Sequence, residues 1–388
     1  MRLSTIALLA GLAASPLAAA PCGGDFGDFL RAISAEAAAK GLPKSAIDAF
    51  MAGAKRDGAV IKADHSQGIF RKTFLEFSQS LISKGRIAGA ASHSKKYDAA
   101  FDAAARKYGV SRGVILAFWA FETDFGQVQG DFNTRNALLT LAHDCRRPEM
   151  FQPQVLAAIA LTARGDIDPA RTVGAWAGEI GQVQMLPRDI LERGVDGDGD
   201  GHITLKTSAP DAILSASHML QFYGWRAGEP WLQEVVVPEG LDWSRTGLDS
   251  ELPAAKWAAM GVRARTGELA NLPASILLPQ GRKGPAFIIY PNYRVLFEWN
   301  KSFVYVTTAA YFATRIEGAP PYDPGNPDAA LSVDATLTLQ KKLAALGHDV
   351  GKIDGIIGAG TRRAVQAEQK RLGLPADGWP TKALLGAL

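Results

Sequence analysis

The chain has 388 residues, of which 47% are hydrophobic and 21% charged, and this balance excludes a disordered polypeptide. At roughly 100–200 residues per domain, the length fits two or three domains. A net charge of +3 with no Lys/Arg run argues against a nucleic-acid partner, while a weak positive bias suits an anionic polymer such as cell wall.

Arg2 is followed by an apolar run from Ile6 to Leu12 and then by small residues through Ala18, Ala19 and Ala20. A basic start, a short apolar core and a small-residue cleavage region describe a secretory signal peptide over residues 1–20, so the expected location is the periplasm. The run is too short to span a bilayer as a stable helix. Pro21 directly before Cys22 does not resemble a lipobox, so no membrane anchor is expected. Cys22 and Cys145 are the only cysteines. In an exported protein a lone pair reads as one disulfide, the alternative being two unpaired thiols.

From about 25 to 225, apolar residues recur at three- and four-residue spacing, as in Phe29–Ile33, Ala46–Phe50 and Val155–Ile159, which predicts a mostly helical region. From about 230 to 310 the pattern changes to short apolar runs (Val235–Val237, Ile276–Leu278, Phe287–Tyr290) separated by Gly and Pro, which predicts a small β-rich insertion. A last helix is expected over Phe303–Ile316. Four prolines between Glu317 and Pro327 then forbid both helix and central strand, which makes residues 319–331 a linker. Residues 332–388 remain for one small module. The fold class expected is therefore mainly α, with a small β part and a C-terminal helical domain.

One helix carries a chemical signal. Ser111 can cap a helix running over 112–125 to a stop at Gly126. Val114–Phe121 is apolar nearly all the way round, so the helix is buried, and Glu122 lies near its C-terminal end. Desolvation and the negative helix end both raise the pKa of such a carboxyl group. A raised-pKa glutamic acid is what protonation of a glycosidic oxygen requires; a glutamate salt-bridged to a neighbour is the bland alternative. Ordinary glycosidases use two carboxylates. Asp124 sits about 200° around the helix from Glu122, on another face. No second carboxylate is evident in sequence, which favours a mechanism in which the substrate supplies the nucleophile.

The run Phe118–Gly126 resembles the catalytic helix of the membrane-bound lytic transglycosylase B family. Gly178–Pro187 resembles its Gly-Gln-x-Gln-aromatic-x-Pro segment, and Asp196–His202 and Trp299–Ser302 match two further motifs in the same order. The resemblance implies a lysozyme-like helical fold over residues 21–318. It implies that Glu122 first protonates the bond between N-acetylmuramic acid and N-acetylglucosamine, then acts as base while the muramyl C6 hydroxyl attacks C1, leaving a 1,6-anhydromuramyl end. It also implies substrate contacts for Gln184 and Asn300, whose amides can bond acetamido groups and hydroxyls; the alternative for Gln184 is a buried amide tying the Gly-rich loop to the core. Gln182, Trp299 and Tyr305 are further substrate-binding candidates. The chain departs from the family where Ala175 replaces a usual serine, and where tyrosines are missing near Met150 and Met219.

Asp196, Asp198 and Asp200 occupy positions 1, 3 and 5 of an EF-hand-type loop, with Gly201 at the sharp turn, the His202 carbonyl next and Ile203 at the apolar position. Thr207 stands at position 12, and Asp211 four residues on is the expected substitute ligand. A structural Ca²⁺ is the reading, against a solvated Asp/Gly turn; no cofactor is expected for catalysis. Residues 332–388, with Leu337–Gly347, the Asp354–Gly358 loop and Thr361 as a helix cap, resemble the peptidoglycan-binding helical repeat. The expected partner is thus the glycan strand of peptidoglycan, met by a monomer. The competing readings are a hydrolytic muramidase and a wall-binding scaffold with lost or reduced activity.

Overall fold

The computed structural model describes residues 20–65 and 72–388, so the expected signal peptide lies, apart from Ala20, outside the described residues. The N-terminal helices are α1 (Phe26–Ala39), α2 (Lys44–Met51) and α3 (Gly58–His65). The Asp25 side chain accepts from Asp28 N and starts α1, which buries Phe29, Ile33 and Ala37 at four-residue spacing. A capping box between Thr73 and Glu76 starts α4 (Phe74–Leu81). Then come α5 (Lys84–Lys96) and α6 (Asp98–Tyr108), the latter stopped by Gly109 at φ +68°.

At the centre is α7 (Arg112–Thr123), capped by the Ser111 hydroxyl and buried from Gly113 to Ala120. Its end is earlier than the predicted 125, because Asp124 and Phe125 turn left-handed at φ 51° and 59°. The short strand β1 (Phe132–Asn133) pairs antiparallel with β2 (Val173–Gly174), and α8 (Thr134–His143) and α9 (Pro148–Arg164) lie between them in sequence. Next are α10 (Pro187–Arg193) and α11 (Ala209–Phe222).

The β-rich part holds β3 (Leu232–Val236), β4 (Leu252–Pro253), α12 (Ala254–Ala259), β5 (Arg263–Ala264), β6 (Pro273–Leu277) and β7 (Phe287–Ile289). The five strands form one antiparallel sheet in the order β4-β6-β7-β3-β5. Strand alternation divides its side chains between two cores. Ile276 and Ile288 pack with Trp257 and Tyr290, whereas Leu277, Phe287 and Ile289 join the main core around α7. The chain returns to that core through α13 (Pro291–Trp299) and α14 (Phe303–Ile316), and α14 packs along α7.

Cys22 is joined to Cys145, 123 residues away. The same segment is held by Gly23 N donating to His143 O and by Gln152 Nε2 donating to Ala20 O. Residues 319–331 are irregular, as their prolines require, but the segment is not a free tether. Tyr322 packs its ring against Phe74 and Tyr311, its hydroxyl meets Ser78 at 2.7 Å, and Asn326 N donates to Lys283 O.

The C-terminal module consists of α15 (Val333–Ala345), α16 (Ala359–Arg371) and α17 (Lys382–Ala387) around Leu339, Leu343, Val365 and Leu384. Thr361 does not cap α16. Gly358 holds that position, and Thr361 is buried in the first turn, accepting from Gln340 Nε2 and donating to Val350 O. The module docks on the preceding part of the chain through Arg362, which donates to Leu278 O and Pro279 O with its guanidinium over the Phe303 ring. Gln366 adds bonds to Trp243 O and Thr246 O, and Asp377 accepts from Arg282 N. Among the described residues, no helix is long and apolar enough to cross a membrane.

Candidate active site

Glu122 occupies the last turn of α7 and keeps partial solvent access, while its neighbours enclose it on nearly all other sides. Its Oε1 accepts two hydrogen bonds, from Tyr305 OH at 2.5 Å and from Trp299 Nε1 at 3.0 Å. Tyr305 comes from the first turn of α14 and Trp299 from the last residue of α13, so the close packing of α14 on α7 delivers both donors. Trp299 stacks on Phe118 with centroids 4.7 Å apart and Tyr305 packs edge-on to Phe121, which fixes both rings by the apolar face of the same helix.

Burial pushes the Glu122 carboxyl above the usual carboxylate range, against the opposing pull of the Tyr305 and Trp299 bonds, which favour the charged form. Tyr305, pushed up by burial and then by the charge of Glu122, stays a neutral donor. The carboxyl group can therefore hold a proton, give it to a neighbouring oxygen, and be stabilised as an anion by two preplaced donors.

Three non-glycine residues among those described adopt positive φ: Asp124, Phe125 and Gln184. Asp124 and Phe125 follow Glu122 by two and three residues, and Gln184 lies on the loop that Thr123 ties to the end of α7; such backbone is sustained only where surroundings enforce it. Here Arg86 Nε bonds Asp124 Oδ1 at 3.1 Å, His93 stacks on Phe125, and Thr123 Oγ1 donates to Gln182 O at 2.6 Å while accepting from Gly126 N. The facing loop, residues 178–185, is closed by an antiparallel bridge between Ile180 and Met185. Gly181, at φ +83°, passes so close to Leu205 that a Cβ would lie 2.6 Å from its backbone, which only glycine permits.

The sequence candidates divide into two groups. Trp299 and Tyr305, expected to touch substrate, are the donors to Glu122. Gln184 stands beside the site with its side-chain amide donating to Gly181 O at 2.8 Å and to Gln129 O at 3.3 Å. Gln182 is buried and serves the fold: its backbone N–H donates to Leu205 O and its carbonyl accepts from Thr123. Asn300 Oδ1 accepts from Ser302 N and shapes the turn into α14. Of the departures, Met219 is buried in the main core and Met150 is exposed on α9. Ala175 N donates to Glu179 O.

Glu179 is the residue that sequence reasoning missed. Burial, reinforced by the charge of Glu122 and opposed by backbone bonds and Arg147, pushes its carboxyl up to about 7. A second carboxyl group thus stands within electrostatic reach of Glu122, contrary to the expectation of none. The available signal was a lone glutamate between two glycines in the apolar run Trp176–Val183.

Asp196, Asp198 and Asp200 each offer a carboxylate oxygen, and these lie within 4.8 Å of one another. Asp196 already accepts from Gly199 N and Gly201 N, which curls the loop. Asp211 is not part of this group. It is fully buried and its oxygens accept from Gly197 N, Thr204 N and Ser208 OH, so it clamps the two ends of the loop together. The His202 ring turns to Asp166, with Nδ1 3.3 Å from its carboxylate.

The transglycosylase SLT domain family matches residues 25–314, and the peptidoglycan-binding domain family matches residues 332–388. The membrane-bound lytic murein transglycosylase B of Escherichia coli is 26% identical over 235 residues, which span 60% of this chain and 64% of that protein, just under two thirds of its length. The structure of SltB3 from Pseudomonas aeruginosa, in complex with NAG-anhNAM-pentapeptide, superposes with a TM-score of 0.86 at 35% identity, covering 94% of this chain and 99% of that one. The calcium complex of Escherichia coli Slt35 shares the fold, with a TM-score of 0.65 at 24% identity over 77% of this chain and 96% of that one. With Glu122 held by two donors at the end of a buried helix, and matches that run almost the length of the polypeptide, the chain belongs to the lytic transglycosylase family of the membrane-bound B type, joined to a C-terminal peptidoglycan-binding domain.

Proposed function

We propose that this protein is a periplasmic lytic transglycosylase that cleaves the β-1,4 bond between N-acetylmuramic acid and N-acetylglucosamine in peptidoglycan, leaving 1,6-anhydromuramyl ends. Glu122, gripped by Trp299 and Tyr305, is the observation that carries the reading. As a neutral acid it protonates the glycosidic oxygen and the C1–O bond breaks. As the resulting carboxylate it takes the proton of the C6 hydroxyl while that oxygen bonds to C1. No water is consumed, and Glu122 ends as it began. Positive charge developing at C1 is met by a carboxylate that its two donors stabilise. Gln184 and Asn300 are proposed as further hydrogen-bonding groups for the sugars through the polar atoms not used within their own loops, and the docked module would raise the local enzyme concentration at the wall.

Glu179 favours a second reading, in which a carboxylate activates water and the enzyme is a hydrolytic muramidase. Mass spectrometry of digested peptidoglycan separates the two: anhydro ends support transglycosylation, reducing ends support hydrolysis. A Glu122→Gln variant as active as the wild type would overturn both.

Ca²⁺ at Asp196, Asp198 and Asp200 is proposed as a structural ion, because three hard oxygen donors of like charge converge in a loop already curled by its own backbone. It takes no part in the chemistry. A melting temperature unchanged by chelator would count against it.

A further inference from the structure

Residues 84–112 carry seven Lys or Arg and only two acids, Asp98 and Asp102, so this stretch holds a larger positive surplus than the whole chain with its +3. It spans α5, α6 and the start of α7, and Lys84, Lys95, Lys96, Arg106 and Lys107 are all exposed. A groove of about 530 Å³ opens there, lined by Ile87, Ala91 and Lys95 of α5 and by Arg315 and Ile316 of α14. Its charges are unevenly matched. Arg112, which also lines it, is already engaged, donating to Ser94 Oγ, Asp98 and Asp102. Glu317, next along from Ile316, is engaged as well, accepting from Ser111 OH and Gly113 N. Lys95 has no carboxylate partner among the described residues. Arg315 donates to Tyr311 OH at 3.3 Å, and its Nε is buried with no hydrogen-bond partner.

Two cations without counter-ions, one of them with a buried donor left over, call for an anion. We propose that this groove binds an oxyanion, a carboxylate or phosphate group carried on a flexible chain. The Arg315 guanidinium offers a planar fork for two oxygens, and Lys95 adds a point charge. Ile87, Ala91 and Ile316 leave an apolar lining for a short aliphatic group beside the anion. The other lysines of α5 and α6 concentrate a polyanion at this face by longer-range attraction. A chain fits better than a lipid surface, because the site is concave and the outward residues Ala88, Ala91 and Ser92 of α5 are too small to enter a bilayer. The groove is distinct from the Glu122 cleft: Arg112 and Glu122 stand at opposite ends of α7, about 15 Å apart along its axis. A carboxylate-bearing wall strand is the carrier. That assignment rests on the reading of the protein as a wall enzyme, whereas the anion site does not.

The test uses the full chain labelled with ¹³C at the isoleucine δ1 methyls, titrated with inorganic phosphate and separately with acetate at constant ionic strength. Saturable NMR shifts are expected at Ile87 and Ile316. Lys95→Gln with Arg315→Gln should weaken binding by about tenfold or more. Lys95→Gln alone, a change at an exposed position that leaves the fold intact, should already weaken it. No saturable shift at either methyl, or unchanged affinity in both variants, overturns the site. The carrier is tested by cosedimentation with peptidoglycan whose carboxylates are free or chemically amidated, using proteins that also carry Glu122→Gln. The double variant should bind the free-carboxylate wall less well than its parent and the amidated wall equally well. Equal binding of both proteins to the free-carboxylate wall, with a loss only on anionic lipid vesicles, overturns the wall strand in favour of a membrane. Failure of Glu122 as acid and base leaves the methyl titration untouched, so the two failures are distinguishable.

Discussion

Breaking the Cys22–Cys145 bond should destabilise the protein by an amount that the chain itself sets. The bond closes a loop with a sequence separation of 123. In the chain-entropy model, opening a loop of that length returns about 5 kcal/mol of freedom to the unfolded state at 25 °C. Unfolding of the matched region, residues 25–314, at roughly 2.1 cal/mol/K per residue carries an entropy of about 0.6 kcal/mol/K. The expected fall in melting temperature is therefore about 8 °C. Native contacts of the same segment, from Gly23 to His143 and from Gln152 to Ala20, survive reduction and keep the folded state in place. Differential scanning calorimetry of oxidised protein, reduced protein and a Cys145→Ser variant reads the shift directly. Coincident melting curves would refute the reasoning and show that this bond does not restrict the unfolded chain.

Tyr305→Phe removes one of two donors that favour the charged form of Glu122, so kcat should fall about ten- to hundredfold, the worth of a hydrogen bond to a charged group. The alkaline limb should move to higher pH, and a pH–rate profile checks it. Burial pushes the Glu179 carboxyl of the folded protein up to about 7 from an ordinary 4.5. The folded state therefore binds the extra proton, and the stability this confers is present below about 4.5 and lost as pH rises through 7. Glu179→Gln should accordingly gain stability over the wild type at pH 8 but not at pH 4, by an upper bound of about 3 kcal/mol, as urea melts at the two pH values would show. Arg362→Ala should weaken docking of the C-terminal module by about 2–4 kcal/mol, through loss of its carbonyl bonds and its stack on Phe303. Faster proteolysis within residues 319–331 is the expected sign.

The helical body, the β-rich insertion, the last catalytic helix and the terminal module were all legible, because each rests on a local pattern of apolar spacing or turn residues. Glu122 was legible for the same reason: an acidic residue inside an apolar helix is conspicuous along the chain. What escaped depended on partners far away in sequence. The left-handed turn at Asp124 and Phe125 is enforced by Arg86, His93 and the loop carrying Gln182, none of which periodicity can place beside it. Glu179 looks ordinary until folding brings it near a carboxyl group 57 positions earlier. Asp211 has the spacing of a metal ligand, yet three donors from its own loop and helix cap claim its oxygens. Trp299 and Tyr305 were singled out for sugars, and only the packing of α13 and α14 against α7 shows that they hold the acid.

The most direct test of Glu122 as the proton-transferring group is the product spectrum of purified peptidoglycan digested by wild type and by Glu122→Gln. The account predicts 1,6-anhydromuramyl fragments from the wild type and intact strands from the variant. Fragments released equally by both proteins would contradict it.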